Sequence, residues 1–598
     1  MNGGVFMDSK WSLKELYDSF TCEKFQNDMN SLDCHIEKLN KLADEVCESH
    51  DREKEKLENY IGELQNFSAY IEKLMSFVNL TISVESKNTE ALKYSDILDQ
   101  KLSLLAVFNT RMNKWISEIE NIDIIINESQ LLKEHEFFIK EIVRKSSHIL
   151  SENEESIIAQ MKNNGSTAWS KYKDLLISNH KVEIDVNGEM KKLPLTVVLN
   201  MAYSSSKEER RKAYDAEIES YKSVEDGVAA ALNAIKGEVI TVCKLRGYDS
   251  PLNMTLENSR MDRESLEAML SAMKESLPVF RKYLRRKAEL LGYKNGLPFY
   301  ELYAPVVEAD MEYSYEDGKA FVEKNFRSFS DHLGDFAKKA CDNSWIDVYP
   351  REGKVGGAFC AGLHSLGESR VMLNYGNNLG DAITMAHELG HGFHGECLKN
   401  ESILNADYPM PIAETASTFC ETIVKKAAIK EATSDEAFAI LENEICDCTQ
   451  VIVDIYSRFL FESELFERRK ESSLTAEELK EVMLKAQREA YGDGLDENYL
   501  HPYMWTWKPH YYDADFNFYN FPYAFGLLFA KGLYAEYLKR GDKFPKQYEE
   551  LLSVTGKNMI ADVTKIMGID IHDINFWRGS LKTIEEDINT FLKLSYER

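Results

Sequence analysis

Residues 381–391 read Asp-Ala-Ile-Thr-Met-Ala-His-Glu-Leu-Gly-His, and residues 411–421 read Pro-Ile-Ala-Glu-Thr-Ala-Ser-Thr-Phe-Cys-Glu. On a helix, side chains four positions apart share a face, so His387 and His391 can converge on one ion. Glu388 is turned away from them by about 100°, one residue of helical rotation. It can reach an attacking water without binding the ion. Zinc lowers the pKa of such a water towards about 7, and a neighbouring carboxylate then takes its proton. In a chain with 13 histidines an isolated HExxH is a weak signal, and an amphipathic helix with coincidental histidines is the competing reading. Two histidines also need a third ligand. A longer histidine motif would place glycine at 394 and histidine at 397, where the sequence has His394 and Cys397. The remaining source is the next helix. Pro411 suits a first helical position, where its missing N–H costs nothing. Glu414 then falls in the first turn and Glu421 seven residues on, along the same face. Glu414 is the expected third ligand and Glu421 the expected partner that orients a ligand histidine. Glu414 read only as a charge complement to the helix N-terminus, and Glu421 as a solvated acid, are the alternatives.

Outward from this stretch, residues 346–375 carry five glycines between short apolar runs such as Ala358–Gly362 and Arg370–Tyr375, the pattern of a small sheet. Residues 10–180 show helical periodicity, with a helical hairpin expected around Leu39–Phe77. Residues 182–195 read as two extended runs flanking Asn187-Gly188, a tight hairpin signal. Residues 499–525 hold twelve Phe, Trp or Tyr among 27 positions, against 11% for the chain, and most of these are expected in an aromatic core. His364 and His394 read as structural side chains or as lining groups. The close pair Cys446 and Cys448 reads as two helix residues.

His387–His394 (HELGHGFH) together with Pro411–Glu421 resembles the thimet-like zinc metallopeptidases, and more closely their oligoendopeptidase F branch, over about residues 115–590. The resemblance implies a mainly α fold, a two-lobed helical clamshell around a deep channel, with a small β-sheet beside the zinc helix and one Zn2+ per chain. It divides the chain into an N-terminal helical region (1–114), a helical lobe ending in a short hairpin (115–195) and a catalytic domain (196–598). It further implies a glycine-containing strand at Gly356, Gly357 and Ala358 whose backbone pairs with bound peptide. Bottom-up this is sensible, because a strand edge offers sequence-independent hydrogen bonds. In the aromatic segment it implies that His510 and Tyr523, with Tyr519 behind them, face the metal and donate hydrogen bonds to substrate and oxyanion. The register between the two tyrosines is left open.

Composition narrows the function class. Lys and Arg total 72 against 100 Asp and Glu, a net charge of −28, which argues against nucleic acid and against anionic membranes as partners. No stretch of 18 apolar residues occurs, and the first residues hold no signal-like apolar run. Ten cysteines without paired spacing suit free thiols in a reducing compartment. The expectation is a cytoplasmic zinc endopeptidase for short oligopeptides. The alternatives are a zinc carboxypeptidase or dipeptidase on a similar helical fold and, from another class, a peptide-binding scaffold with an inactive site.

Overall fold

The structure is a computed structural model that describes residues 9–307 and 311–598. Residues 1–8, part of the stretch read for a leader, lie outside the described residues. The fold is mainly α, with 72% of residues helical. The strands form a two-stranded hairpin and a three-stranded sheet among the described residues. No helix among the described residues is long and apolar enough to cross a membrane.

The chain forms two compact units that interleave along the sequence. The first comprises Met1–Ile149, Asp310–Ala427 and Arg540–Gly568, and the second Leu150–Ala309, Ala428–Lys539 and Ile569–Arg598. In the first unit, helix Glu23–Val46 is followed by α1 (Glu53–Val84), the helical hairpin anticipated from periodicity. Leu57, Tyr60, Ile61, Phe67, Leu74, Phe77 and Val78 are buried at three-, four- and seven-residue steps along α1, the stripe that an amphipathic helix turns to a core.

The hairpin strands are β1 (Lys181–Val186) and β2 (Glu189–Pro194), in the second unit. Val186 faces Glu189 across Asn187-Gly188. Both turn residues have positive φ, 57° and 85°, as the tight turn between twisted strands requires. The sheet of the first unit has the order β3-β5-β4, from Ile346–Asp347, Glu368–Met372 and Phe359–Leu363. Strand β4 runs antiparallel to β5 and β3 parallel to it. Leu363 and Met372 enter the same hydrophobic cluster as the buried residues of α1, so the N-terminal helices carry the sheet.

Two further helices hold the motif, one within the first unit and one that begins there. Helix α2 (Leu379–Leu398) begins with a capping box, Asn378 and Asp381 each accepting the other's backbone N–H, which satisfies two otherwise orphaned donors. Helix α3 spans Met410–Glu431. In the second unit, a π-helical turn at Gln450–Asp454 leads into α4 (Ile455–Glu471). The aromatic segment ends in α5 (Phe521–Arg540).

Candidate active site

Helix α2 crosses α3 at Gly390. A Cβ on Gly390 would lie 2.6 Å from Ser417 Cα and 2.7 Å from the Ala416 carbonyl oxygen. No side chain fits there, so the glycine lets the two helices touch backbone to backbone. That close approach carries Glu414 to the histidines. Glu414 Oε2 lies 3.3 Å from His387 Nε2 and 3.6 Å from His391 Nε2. One donor atom from each of the three residues falls within 4.8 Å of the other two. The imidazole rings are 5.0 Å apart and nearly perpendicular. Ser417 Oγ donates to the carboxylate of Glu414 at 3.0 Å, and Glu421 Oε2 sits 3.1 Å from His387 Nδ1. Lys425 Nζ meets the other Glu421 oxygen at 2.5 Å. This is the arrangement in which a carboxylate fixes the tautomer and orientation of a metal-binding imidazole.

The electrostatics match a cation site. Burial works against a charged His387, but Glu414 and Glu421 overcome it and raise its pKa to about 10. The two carboxylates thus stabilise positive charge at the point where the donors converge. Burial lowers His391 to about 4, leaving it neutral as a ligand must be. Two neutral-capable imidazoles and one carboxylate fit a zinc ion, with one further position open for chemistry. Glu388 is 6% exposed. Burial raises its pKa to about 7, with His387 opposing and Glu414 adding to the rise. A carboxylate poised there can accept a proton and return it near neutral pH.

His387, Glu388, His391 and Glu414 line a cavity of about 660 Å³ whose wall includes Cys360 and Gly362 of β4. Strand β4 is the edge of its sheet. Val371 and Leu373 donate to the Trp345 and Asp347 carbonyls on the β3 side, so the intervening Arg370 and Met372 face β4, opposite Ala361 and Phe359. Successive residues of a strand present their backbone groups to opposite sides. The N–H and C=O groups of Cys360 and Gly362 therefore point to the open edge, where no further strand pairs among the described residues.

The glycine segment itself differs from the expected strand. A turn at Glu352 and Gly353 is followed by a bend at Gly356 and Gly357, Gly357 has φ +83°, and the strand begins only at Phe359. Asn374 Nδ2 holds the bend by donating to the Val355 and Gly357 carbonyls at 3.0 and 2.7 Å. Lys354 Nζ anchors it 2.7 Å from Asp347 Oδ1. Gly356 and Gly357 are exposed, and Ala358 is the residue of the three that lines the cavity.

Helix α1 braces β4 at both ends, a role that periodicity alone did not show. Before the strand, Val355 N–H donates to the Ser83 carbonyl at 2.9 Å, and Ser86 N–H to the Gly353 carbonyl at 2.7 Å. After the strand, the Glu72 carboxylate accepts from the N–H groups of His364 and Ser365 at 2.9 and 2.8 Å, and from Ser365 Oγ. Lone acids in long helices carry no signal for such a contact. His364 Nε2 meets the Glu401 carbonyl at 3.0 Å. His394 is fully buried, stacked on Tyr408 and bonded to Thr555 Oγ1, which makes it structural.

His510, Tyr519 and Tyr523 lie together in the second unit. Most of their aromatic neighbours, including Tyr511, Tyr512, Phe518 and Phe521, are buried, whereas these three are half-buried. Tyr523 and Tyr519 hydroxyls are 3.3 Å apart, and the Tyr519 ring stacks 6.1 Å from the His510 ring. Asn520 Nδ2 donates to His510 Nε2 at 3.0 Å, and Asn520 Oδ1 accepts from Arg458 Nη1 at 3.4 Å. Arg458 is in turn paired with Asp454 of the π-helical turn. Because Nε2 accepts, the proton of neutral His510 resides on Nδ1. Burial, followed by Arg458 and nearby lysines, lowers its pKa to about 3, so it stays neutral. Arg458 and Asn520 went unnoticed in the sequence, since their roles depend on a contact between separate segments.

A family model described as "Peptidase family M3" matches residues 200–583, and one described as "Oligopeptidase F" matches residues 118–181. Oligopeptidase PepF of Bacillus subtilis is 24% identical over 484 residues, covering 80% of this chain and 71% of the relative. An oligoendopeptidase F homolog of Borreliella burgdorferi is 25% identical over 98% of this chain and 96% of its own. The crystal structure of oligoendopeptidase-F from Enterococcus faecium superposes with a TM-score of 0.71 at 18% identity, covering 96% of this chain and 99% of that one. The match extends over most of the chain and includes both halves of the histidine–glutamate constellation, and the chain is a peptidase belonging to family M3.

Proposed function

We propose that the protein is a cytoplasmic zinc endopeptidase that hydrolyses internal bonds of short oligopeptides. The observation that carries the reading is the convergence of His387, His391 and Glu414 beside the buried acid Glu388. A zinc ion held by those three residues would supply Lewis acidity, polarising the scissile carbonyl and acidifying water. Glu388 takes the proton from the attacking water and delivers it to the leaving amine. Glu421 holds His387 in the tautomer whose Nε2 lone pair is free to bind. The substrate backbone pairs with the open groups of Cys360 and Gly362, adding a strand to the sheet edge. That pairing demands an extended peptide, so folded proteins, whose strands are already paired, are not substrates. His510 and Tyr523 donate to the carbonyl oxygen as it gains charge.

Metal analysis of the purified chain, with hydrolysis of internally quenched peptides blocked at both ends, tests this reading. One zinc per chain and chelator-sensitive cleavage of doubly blocked peptides are expected. Cleavage confined to peptides with a free terminus would instead make the enzyme a carboxypeptidase or dipeptidase.

A further inference from the structure

The second unit contains a separate cavity of about 280 Å³. Its wall includes the aromatic side chains of Tyr203, Tyr214, Tyr300, Tyr303 and Trp507, and it also carries Lys508. The volume is close to the lower bound for small-molecule sites, about 300 Å³, which suits the end of a peptide or a single side chain.

The charged side chains of this wall are held in different ways. Arg210 is occupied: its Nε and Nη2 donate to Glu301 at 3.1 and 2.6 Å, and its Nη1 to the Ser204 and Ser205 carbonyls. Glu217 is occupied as well, its Oε1 accepting from Tyr221 OH at 2.8 Å and lying 2.9 Å from His501 Nε2. Lys508 is the exception. It is half-buried, and among the described residues it has no hydrogen bond and no carboxylate within 4 Å. Its Nζ lies 4.1 Å from the centroid of the Trp507 ring, a contact that attracts the cation without neutralising it. Burial, with Arg458 adding to it and Asp454 and Glu217 opposing, lowers Lys508 to about 8, so the ammonium persists at neutral pH. An aromatic-lined cavity with a cation held in no ion pair has the complement of a carboxylate on an apolar stem.

We propose that this cavity is a carboxylate-binding subsite, in which the Lys508 ammonium grips a peptide carboxylate, of the chain terminus or of an acidic side chain, and the aromatic wall takes the residue that bears it. The inference rests on the peptidase reading for its ligand class, but its test does not depend on turnover. N-acetylphenylalanine and its amide are titrated into the full-length chain by calorimetry, and the same pair into Lys508→Met and Lys508→Arg. The acid should bind about tenfold or more tightly than the amide, the scale of one hydrogen bond to a charged group. Lys508→Met should erase that preference and Lys508→Arg should retain part of it. Equal affinity for acid and amide in the unaltered chain, a comparison that needs no variant, overturns the proposal. So does an acid preference that survives in a folded Lys508→Met.

The source of the carboxylate is read from KM for three internally quenched peptides of one sequence: free acid, C-terminal amide, and amide with glutamate at the last position. A low KM for the first alone assigns the chain terminus, and a low KM for the third as well assigns a side chain. If none of the peptides is cleaved, the peptidase reading fails by itself and the calorimetric result still decides the subsite.

Discussion

The α2–α3 crossing and the aromatic segment of residues 499–525 are built by opposite strategies. In the first, the relative placement of His387, Glu388 and His391 is set by the pitch of one helix, and a single tertiary contact at Gly390 brings in Glu414. In the second, His510 sits in a short 3-10 turn, Phe518 has a left-handed φ of 53°, and only then does α5 begin. There the bonds of His510 to Asn520, and of Asn520 to Arg458, take the place of helical pitch. A regular element makes chemistry readable in the sequence, whereas an irregular one hides it in contacts.

The largest expected effect tests the regular region. Glu388→Gln should retain one zinc per chain and lose about 10²–10⁴ in turnover, the usual weight of a general base. Near-normal turnover of a zinc-loaded variant would show that helical pitch had misplaced the base. The irregular region comes next. Tyr523→Phe removes a hydroxyl and keeps the ring, and should lower kcat by about 10²–10³ with KM nearly unchanged, as for one oxyanion donor. The two hydroxyls are bonded to each other, so Tyr519→Phe is the matched control. A crippled Tyr519→Phe beside a normal Tyr523→Phe would exchange their roles, and two normal variants would return both to the core.

Smaller effects sharpen the comparison within the first unit. Glu421→Ala should weaken zinc binding by about 10–100-fold, as partners of metal-binding histidines do, and Glu414→Ala should weaken it further. A competition titration that ranked them the other way would reverse ligand and orienting partner. The smallest expected effect belongs to Glu72. Glu72→Gln replaces a charged acceptor of two backbone N–H groups by a neutral one, at a cost of about 1 kcal/mol in bracing. KM for peptides should rise several-fold while kcat and zinc content hold. A loss of zinc, or a change confined to kcat, would mean that α1 does not act through the sheet edge.

Much of the helical framework follows from local chemistry. Apolar residues at three- and four-residue steps call for α1, Asn378 and Asp381 cap α2, and Asn187-Gly188 closes the β1–β2 hairpin. The spacing within HELGH sets which side chains share a face of α2, because a helix fixes that geometry without outside help. The bend at Gly356 and Gly357 was less legible. Two adjacent glycines suit a strand beside a ligand as well as a turn, and the carbonyl contacts of Asn374, some seventeen residues away, settle the matter.

What only the tertiary structure decided are the arrangements made by residues far apart in the chain. The passages between the two units at 427/428 and 539/540 fall inside α3 and α5. Helical periodicity continues across the first, so no break in the pattern marks that change of unit, whereas the second falls at the last residue of α5, just before Gly541. Glu72 beside Ser365, Asn520 beside His510 and Lys508 in its aromatic cavity carry no local signature, since a single polar residue looks alike in sequence whether it meets water or a partner. Their roles arise from burial, which strips away water and makes one specific partner matter.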